Sequence, residues 1–420
     1  MTDAGTQPSS PTTYLVDCAK AVAALTETSP GSSVVPLVEH ILEYAQAARA
    51  SDVHINPLQD SVEVRFRIDG VLESVLVLPL LSHHEVITRF KILCGLRTDE
   101  HQSAQDGRFR LALKTGTQLD VRVSIAPVYF GENVVLRLLS AETEIFTLDK
   151  LGFSPGNQSK IMAALQKPYG MILATGPTGS GKTTTLDTLL QLVKTPGIAI
   201  VTIEDPIEYA ILGVNQIQVN PRTGLTFATG LRSMLRQDPN IIMVGEIRDQ
   251  ETAGLAINIA LTGHLVFSTL HTNDAATTLP RLLDMKVEPY LIASTVNVAI
   301  GQRLLRRLCI HCKLTRVLTA LEVESLKGTV TTPQLSVGTT IAYAGGCALC
   351  NGTGYYGRIG IHEVLVVTPL IRAAVLKQET ASDLRSLAVS AGMVPLIEDG
   401  FLKVLAGETS LEEILTMRYE

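Results

Sequence analysis

The sequence has no tryptophan, and 10 tyrosines and 9 phenylalanines are few for 420 residues. Such a chain offers few aromatic faces on which unpaired bases could stack. It also lacks a surplus of positive charge: 35 Lys and Arg stand against 41 Asp and Glu, a formal net charge of −6. A protein that wraps nucleic acid through its phosphates needs a basic surface, so no nucleic-acid partner is expected. Nowhere do roughly 18 apolar residues run together, the length a membrane-spanning helix needs. The longest relevant stretch, Val75–Leu81, is interrupted by Pro79. The opening residues, MTDAGTQPSSPTT, have no basic region followed by an apolar one, so no secretory signal is read there. No internal repeat is visible. The expectation is a soluble cytosolic protein that touches a membrane only from the side.

What is present suffices for large cores. Hydrophobic residues make up 46% of the chain. The length is about three times a usual domain of ~150 residues, which predicts two large domains and some smaller modules.

There are six cysteines, and four of them form two C-x-x-C pairs, Cys309/Cys312 and Cys347/Cys350, with 34 residues between. In a chain without a secretory signal, disulfides are not expected. Paired C-x-x-C knuckles suit one tetrahedral Zn²⁺, because each supplies two thiolates. The wide gap predicts that the metal pins a loop or subdomain. Cys18 and Cys94 stand alone, and neither is assigned a role.

Residues 1–33 are rich in Ser, Thr, Pro and Gly and read as a flexible tail, with a short helix around Tyr14–Leu25. From residue 34 the apolar positions Val35, Leu37, Val38, Ile41 and Leu42 recur at helical spacing. Five alternating runs follow: SDVHINP, SVEVRFRID, GVLESVLVL, GRFRLAL and QLDVRVSIAP. They predict an antiparallel sheet, with a helix near Glu85–Cys94, in an α+β domain over 34–142. His83-His84 reads as a surface turn. A linker covers 141–157. Beyond it, buried strands at Gly170–Thr175, Ile198–Ile203, Asn240–Val244 and His264–Thr269 alternate with helices. That order predicts a doubly wound α/β core over 150–300. A tetracysteine subdomain over 301–362 and a helical C-terminal region over 363–420 complete the expected organisation.

The strand MILAT leads into Gly176, Pro177, Thr178, Gly179, Ser180, Gly181, Lys182 and Thr183, which fit G-x-x-x-x-G-K-[ST], and Thr184 continues into a helix. Glycines let backbone N–H groups curl around a phosphate, and the helix N-terminus adds positive potential. Lys182 would reach the outer phosphates of ATP, and Thr183 would ligate Mg²⁺. Hydrolysis further needs a carboxylate at a nearby strand tip. Glu204-Asp205 ends one apolar run and Gly245-Glu246 another, so Glu246 or Glu204 is the expected general base. The second run lacks the usual Asp directly after it. His264 and His271 flank the strand LVFSTL; His271 is expected at the γ-phosphate, and His264 is left open between water placement and structure.

Taken in order, these segments resemble one family. IEDPIEY looks like its Asp box, GPTGSGKT is the Walker A, LRSMLRQDPNIIMVGEIRDQETA looks like its atypical Walker B, and TGHLVFSTLHTNDA looks like its His box. They are similar to the secretion-superfamily ATPases that power type II secretion and type IV pilus machines, over roughly residues 34–420. SDVHINP…VRFRIDGVL and QDGRFRL are similar to the domain that caps the nucleotide there. The resemblance implies a RecA-like P-loop core preceded by a PAS-like cap domain. It implies a homo-oligomeric ring, a hexamer, with ATP between domains and neighbouring subunits. It implies arginines from the cap domain at the γ-phosphate, for which Arg65, Arg67 and Arg89 are the candidates, with Arg108 a weaker one. The cysteine pairs and the ending GMVPLIEDGFLKVLAGETSLEEIL look like the secretion and pilus-extension branch, whose motors act on an inner-membrane platform protein and associated components of the cytoplasmic face. Members of that branch usually carry a further N-terminal docking domain, for which the 33 residues ahead of the cap domain are too few. The alternatives are a pilus retraction ATPase, a P-loop nucleic-acid motor, and a zinc-dependent chaperone or adaptor suggested by Cys347-Ala-Leu-Cys350-Asn-Gly-Thr-Gly.

Overall fold

In β2 (Ser61–Ile68) every second residue is buried, and Val62, Val64 and Phe66 point into one core. The same alternation recurs through the first domain and leaves one sheet face covered and the other open. The computed structural model describes residues 18, 20, 34–114, 116–140 and 146–418. The expected N-terminal tail and its helix lie outside the described residues, apart from Cys18 and Lys20. The chain divides into two units, 1–144 and 145–420.

The first unit contains α1 (Val35–Ala47), β1 (Ala50–Pro57), β2, β3 (Val71–Pro79), α2 (His83–Cys94), β4 (Gln105–Ala112), β5 (Gln118–Val128) and β6 (Gly131–Ser140). The strands form one sheet in the order β3-β2-β1-β6-β5-β4, and every described pair is antiparallel. Both helices pack on one face, where Leu37, Ile41, Ile87 and Phe90 join the inward residues of the strands. β6 is absent from the alternating runs of the sequence although it is one of the two central strands, pairing with both β1 and β5. Its run NVVLRLL shows little alternation in residue type, because a strand flanked on both sides tolerates apolar residues on its open face as well. The expected surface turn at His83-His84 is instead the first turn of α2. His83 Nε2 lies 2.8 Å from the carbonyl of Glu132, tying that turn to β6.

The second unit begins with α3 (Pro155–Leu165), so part of the expected linker is helix, capped by Ser154. It continues with β7 (Gly170–Thr175), α4 (Lys182–Val193), β8 (Ile200–Glu204), β9 (Asn215–Gln218), α5 (Phe227–Met234), β10 (Ile241–Val244), α6 (Gln250–Leu261), β11 (Leu265–Leu270), α7 (Ala275–Asp284), α8 (Pro289–Thr295) and β12 (Val296–Leu308). Then come β13 (Leu314–Val317), α9 (Ala320–Leu326), β14 (Thr340–Tyr343), β15 (Tyr355–Val366), α10 (Pro369–Leu376), α11 (Ala381–Ser390), α12 (Leu396–Leu405) and α13 (Leu411–Arg418). Seven strands form the main sheet in the order β15-β12-β7-β11-β10-β8-β9, parallel except for the β12–β15 pair. Apolar clusters cover both faces, one including Met171, Val244 and Ile257, the other Ile172, Leu189 and Phe267. This is the doubly wound α/β core that the alternation predicts.

The expected boundaries at 300/301 and 362/363 fall inside β12 and β15, so the central sheet runs on through both segments. These strands stay paired from Val298↔Val366 to Leu308↔Tyr355, and the cysteine pairs sit at the far end of that ribbon. Residues 313–346 leave and return there, forming the two-stranded β13–β14 sheet and α9. Leu318, Leu326 and Ile341 of this excursion share a core with Phe401 and Val404 of α12 and Ile414 of α13. α10 and α11 pack instead on the main sheet, through Ile371, Val375 and Leu384.

Candidate functional site

β7 is buried along its whole length, and its C-terminal end opens into the loop 176–181, which caps α4. Gly176, Gly179 and Gly181 take φ values of 147°, 80° and 86°, a region that residues with a Cβ avoid. At Gly176 there is also no room, because a Cβ would lie 2.6 Å from Ser180 Oγ and 2.4 Å from the carbonyl of Gln302. Ser180 is buried, and its hydroxyl has no hydrogen-bond partner among the described residues. A buried hydroxyl without a partner is costly, and a phosphate oxygen at this loop would supply one. The loop therefore fits the group that its sequence implies.

Lys182 is buried, and its ammonium donates to the carbonyls of Gly176 and Pro177 at 2.8 and 3.0 Å. Burial pushes its pKa below the usual lysine range, against the attraction of Glu246. Thr183 and Thr184 follow in the first turn of α4.

Because β8, β10 and β11 run parallel to one another and β11 runs parallel to β7, their C-terminal ends meet the same sheet edge. Glu246 follows β10, with its carboxylate 2.5 Å from Arg248 and 3.1 Å from His271 Nε2. His271 follows β11 and is held by a threonine clasp: Thr175 and Thr272 join hydroxyl to hydroxyl, and Thr272 N donates to Thr175 Oγ1 at 3.2 Å. Gly245 stands where the usual Asp is missing, and a Cβ there would lie 3.3 Å from the backbone of Ile203 and Glu204. Glu204, at the end of β8, is buried and accepts from Thr202 Oγ1 at 2.7 Å and Gln216 Nε2 at 3.0 Å. Burial raises its pKa, and these two hydrogen bonds oppose the rise. His264 precedes β11, at the opposite sheet edge, with Nδ1 3.2 Å from the carbonyl of Ile259.

Two residues of this region carried no sequence signal. Asp187 on α4 has an oxygen without a partner among the described residues. Its carboxyl is pushed up to about 8 by burial, then by Glu204 and Glu208. Gln302 on β12 reaches the phosphate loop from the side.

In the first unit, Arg65 and Arg67 lie on the open face of β2, as their spacing predicts. Arg65 donates to Asn56 Oδ1 at 3.1 Å, and Arg67 Nε lies 3.7 Å from Asp52. Arg89 lies on α2, on the covered side of the sheet, so the three candidates do not share a face. The register instead sets Arg108, Arg122, Arg137, Asp52 and Arg67 side by side across β4, β5, β6, β1 and β2. Arg137 Nε donates to Asp52 at 3.1 Å.

The four paired cysteines converge. Their sulfurs all lie within 4.8 Å of one another. The Cys309–Cys347, Cys312–Cys350 and Cys347–Cys350 separations are 3.8, 3.7 and 3.6 Å. A tetrahedron with metal–sulfur bonds of about 2.3 Å has edges of about 3.8 Å, so the donor set and its spacing fit zinc. Burial would raise the Cys350 thiol, but N–H groups of Cys347 and Gly354 hold it down at about 6, and such bonds favour a thiolate.

A family model described as type II/IV secretion system protein matches residues 27–416. The type IV pilus assembly ATPase PilB of Thermus thermophilus is 45% identical over 93% of this chain and 43% of its own length. The type II secretion system protein HxcR of Pseudomonas aeruginosa is 43% identical over 96% of this chain and 81% of its own. The chain thus spans less than half of the first of these relatives. Among solved structures, the pilus retraction motor PilT with bound ADP is similar at 26% identity, covering 90% of this chain and 96% of its own, with a TM-score of 0.61.

Proposed function

The chain belongs to the type II/IV secretion system protein family, a family of ATPases, and from that premise we propose that it is a motor hydrolysing ATP to drive assembly of a type IV pilus or type II secretion pseudopilus. The observation that carries the reading is the meeting of the Gly176–Thr183 loop with Glu246 and His271 at one sheet edge. Transfer of a phosphoryl group needs a cradle for the outer phosphates, a carboxylate for the attacking water and a positive group for developing charge. Lys182 and the loop amides supply the cradle, and Thr183 would hold Mg²⁺, which neutralises phosphate charge when bound. Glu246 accepts the water proton. His271 Nε2, 3.1 Å away, orients that carboxylate, and His271 is the residue we assign to the γ-phosphate. Glu204 keeps its hydrogen bonds to Thr202 and Gln216 and shapes the β8 side.

Spreading the transition-state charge is the role that the family resemblance implies for arginines of the first domain. Arg67 is aligned with Arg108 and Arg122, which makes that row the stronger candidate and Arg89 the weaker. The motor works as a homo-oligomeric ring, a hexamer, peripheral at the cytoplasmic face of the inner membrane, and pushes on a polytopic platform protein. No helix among the described residues is long and apolar enough to cross a membrane. Cys309, Cys312, Cys347 and Cys350 would hold Zn²⁺ and so close the end of the β12–β15 ribbon, and this cysteine set favours the extension branch over retraction.

The test is ATP turnover and ring formation by the purified full chain, followed by capture from native membranes. Turnover lost in Lys182→Ala, together with a co-purifying platform protein, supports the motor. Turnover retained in Lys182→Ala removes it, and stimulation by DNA moves the reading to a nucleic-acid motor.

A further inference from the structure

Val296–Gly301 of β12 pairs with β7, and the pairing ends at Gly301↔Thr175. There β7 turns into the phosphate loop while β12 continues, so the next residue, Gln302, stands beside that loop. Gln302 is 2% exposed. Its Nε2 donates to the Ser180 carbonyl at 2.6 Å, and its Oε1 accepts from Thr185 Oγ1 at 2.8 Å. One side-chain amide thus bridges the loop and the first turn of α4. The fit has little slack, since a Cβ on Gly181 would lie 3.2 Å from Nε2.

A loop that must aim several N–H groups at a phosphate gains affinity when its conformation is fixed before the ligand arrives. Its glycines work against this, because they leave the free loop many conformations. An amide satisfied at both ends in a buried setting offsets that freedom, and removing it leaves the Ser180 carbonyl unmatched. We infer that Gln302 is a positioning residue for nucleotide: through Ser180 and Thr185 it holds the phosphate loop in its binding form. The inference deepens the nucleotide reading above and rests on it.

The test uses the full chain with Gln302→Ala and Thr185→Val, singly and together. Each single variant is expected to bind ADP about tenfold more weakly. The KM for ATP should rise in step while kcat stays within about threefold. The double variant should lose little beyond Gln302→Ala, because the two groups act as one unit. Amide exchange across 176–183 in nucleotide-free protein should speed up while β7 stays protected. Unchanged ADP affinity and loop exchange, or losses that multiply in the double variant, would overturn the inference. Should Gln302→Ala not fold, Gln302→Glu keeps an acceptor for Thr185 but not the donor to Ser180; wild-type affinity and exchange in it also overturn the inference. The exchange measurement needs no nucleotide. A wild-type chain that fails to bind ADP therefore sinks the nucleotide reading, while the exchange result still decides whether Gln302 holds the loop.

Discussion

Glu246 Oε2 and His271 Nε2 meet at 3.1 Å across the ends of two adjacent parallel strands, β10 and β11. Neither residue is a neighbour of the phosphate loop in sequence. The sheet brings both to the edge where that loop lies, and Arg248 holds the other carboxylate oxygen at 2.5 Å.

A carboxylate fixed in this way is suited to take a proton from water. Glu246→Gln should bind ATP with near wild-type affinity and hydrolyse it about a hundredfold or more slowly. Nucleotide affinity and single-turnover rates measure the two effects separately. Normal hydrolysis in this variant would shift the base to Glu204.

The arginine row gives a contrast within one domain. Arg108→Ala and Arg122→Ala should each lower kcat by about tenfold or more with little change in ADP affinity, because a group at the γ-phosphate acts on the transition state. Arg89→Ala, on the covered side of the sheet, should leave kcat near wild type. Steady-state kinetics on the assembled protein measures this, and equal losses in all three would undo the distinction drawn from the register.

The tetracysteine site should hold close to one zinc per chain when purified without chelator. Cys347→Ser should lose it, by elemental analysis. The lost bonds release residues 313–346 at the end of the β12–β15 ribbon, so proteolysis should begin there. Metal-free wild-type protein, fully folded and resistant there, would count against a structural zinc.

Asp187 makes stability depend on pH. Its pKa of about 8 in the folded protein lies above the ordinary carboxylate value of 3.8. Between those values the folded state keeps a proton that the unfolded state has released. This group's contribution is therefore fully present below about pH 4, falls as pH rises toward about 8, and is flat beyond. Asp187→Asn should flatten that part of the slope and stabilise the protein most above about pH 8. Melting temperatures of the two proteins across this range decide the matter; parallel profiles would mean that Asp187 is already ionised.

Much of the site was legible because its signals are local. A phosphate loop needs its glycines, lysine and threonine at fixed spacing, since the turn and the helix start are built from consecutive residues. The strand ends at Glu204, Glu246 and His271 were readable because a buried parallel strand is a short apolar run with a polar stop. Two C-x-x-C pairs likewise state their chemistry at short range, and the sulfurs converge as that chemistry requires.

The rest depends on which strands lie side by side, and spacing along the chain does not record that. Arg67, Arg108, Arg122 and Arg137 come from four strands and become neighbours only through antiparallel register. Gln302 is one polar residue in a long strand until β12 is laid against β7. The expected break at 300 failed for the same reason, because β12 and β15 are separated by the whole cysteine excursion and yet form one ribbon. The glycine-rich loop, the strand-tip residues and the four converging cysteines were each readable as a local pattern of a few residues. Tertiary structure alone decided which arginines align, what steadies the loop and how far the central sheet extends, because hydrogen bonds between strands join residues without regard to their distance along the chain.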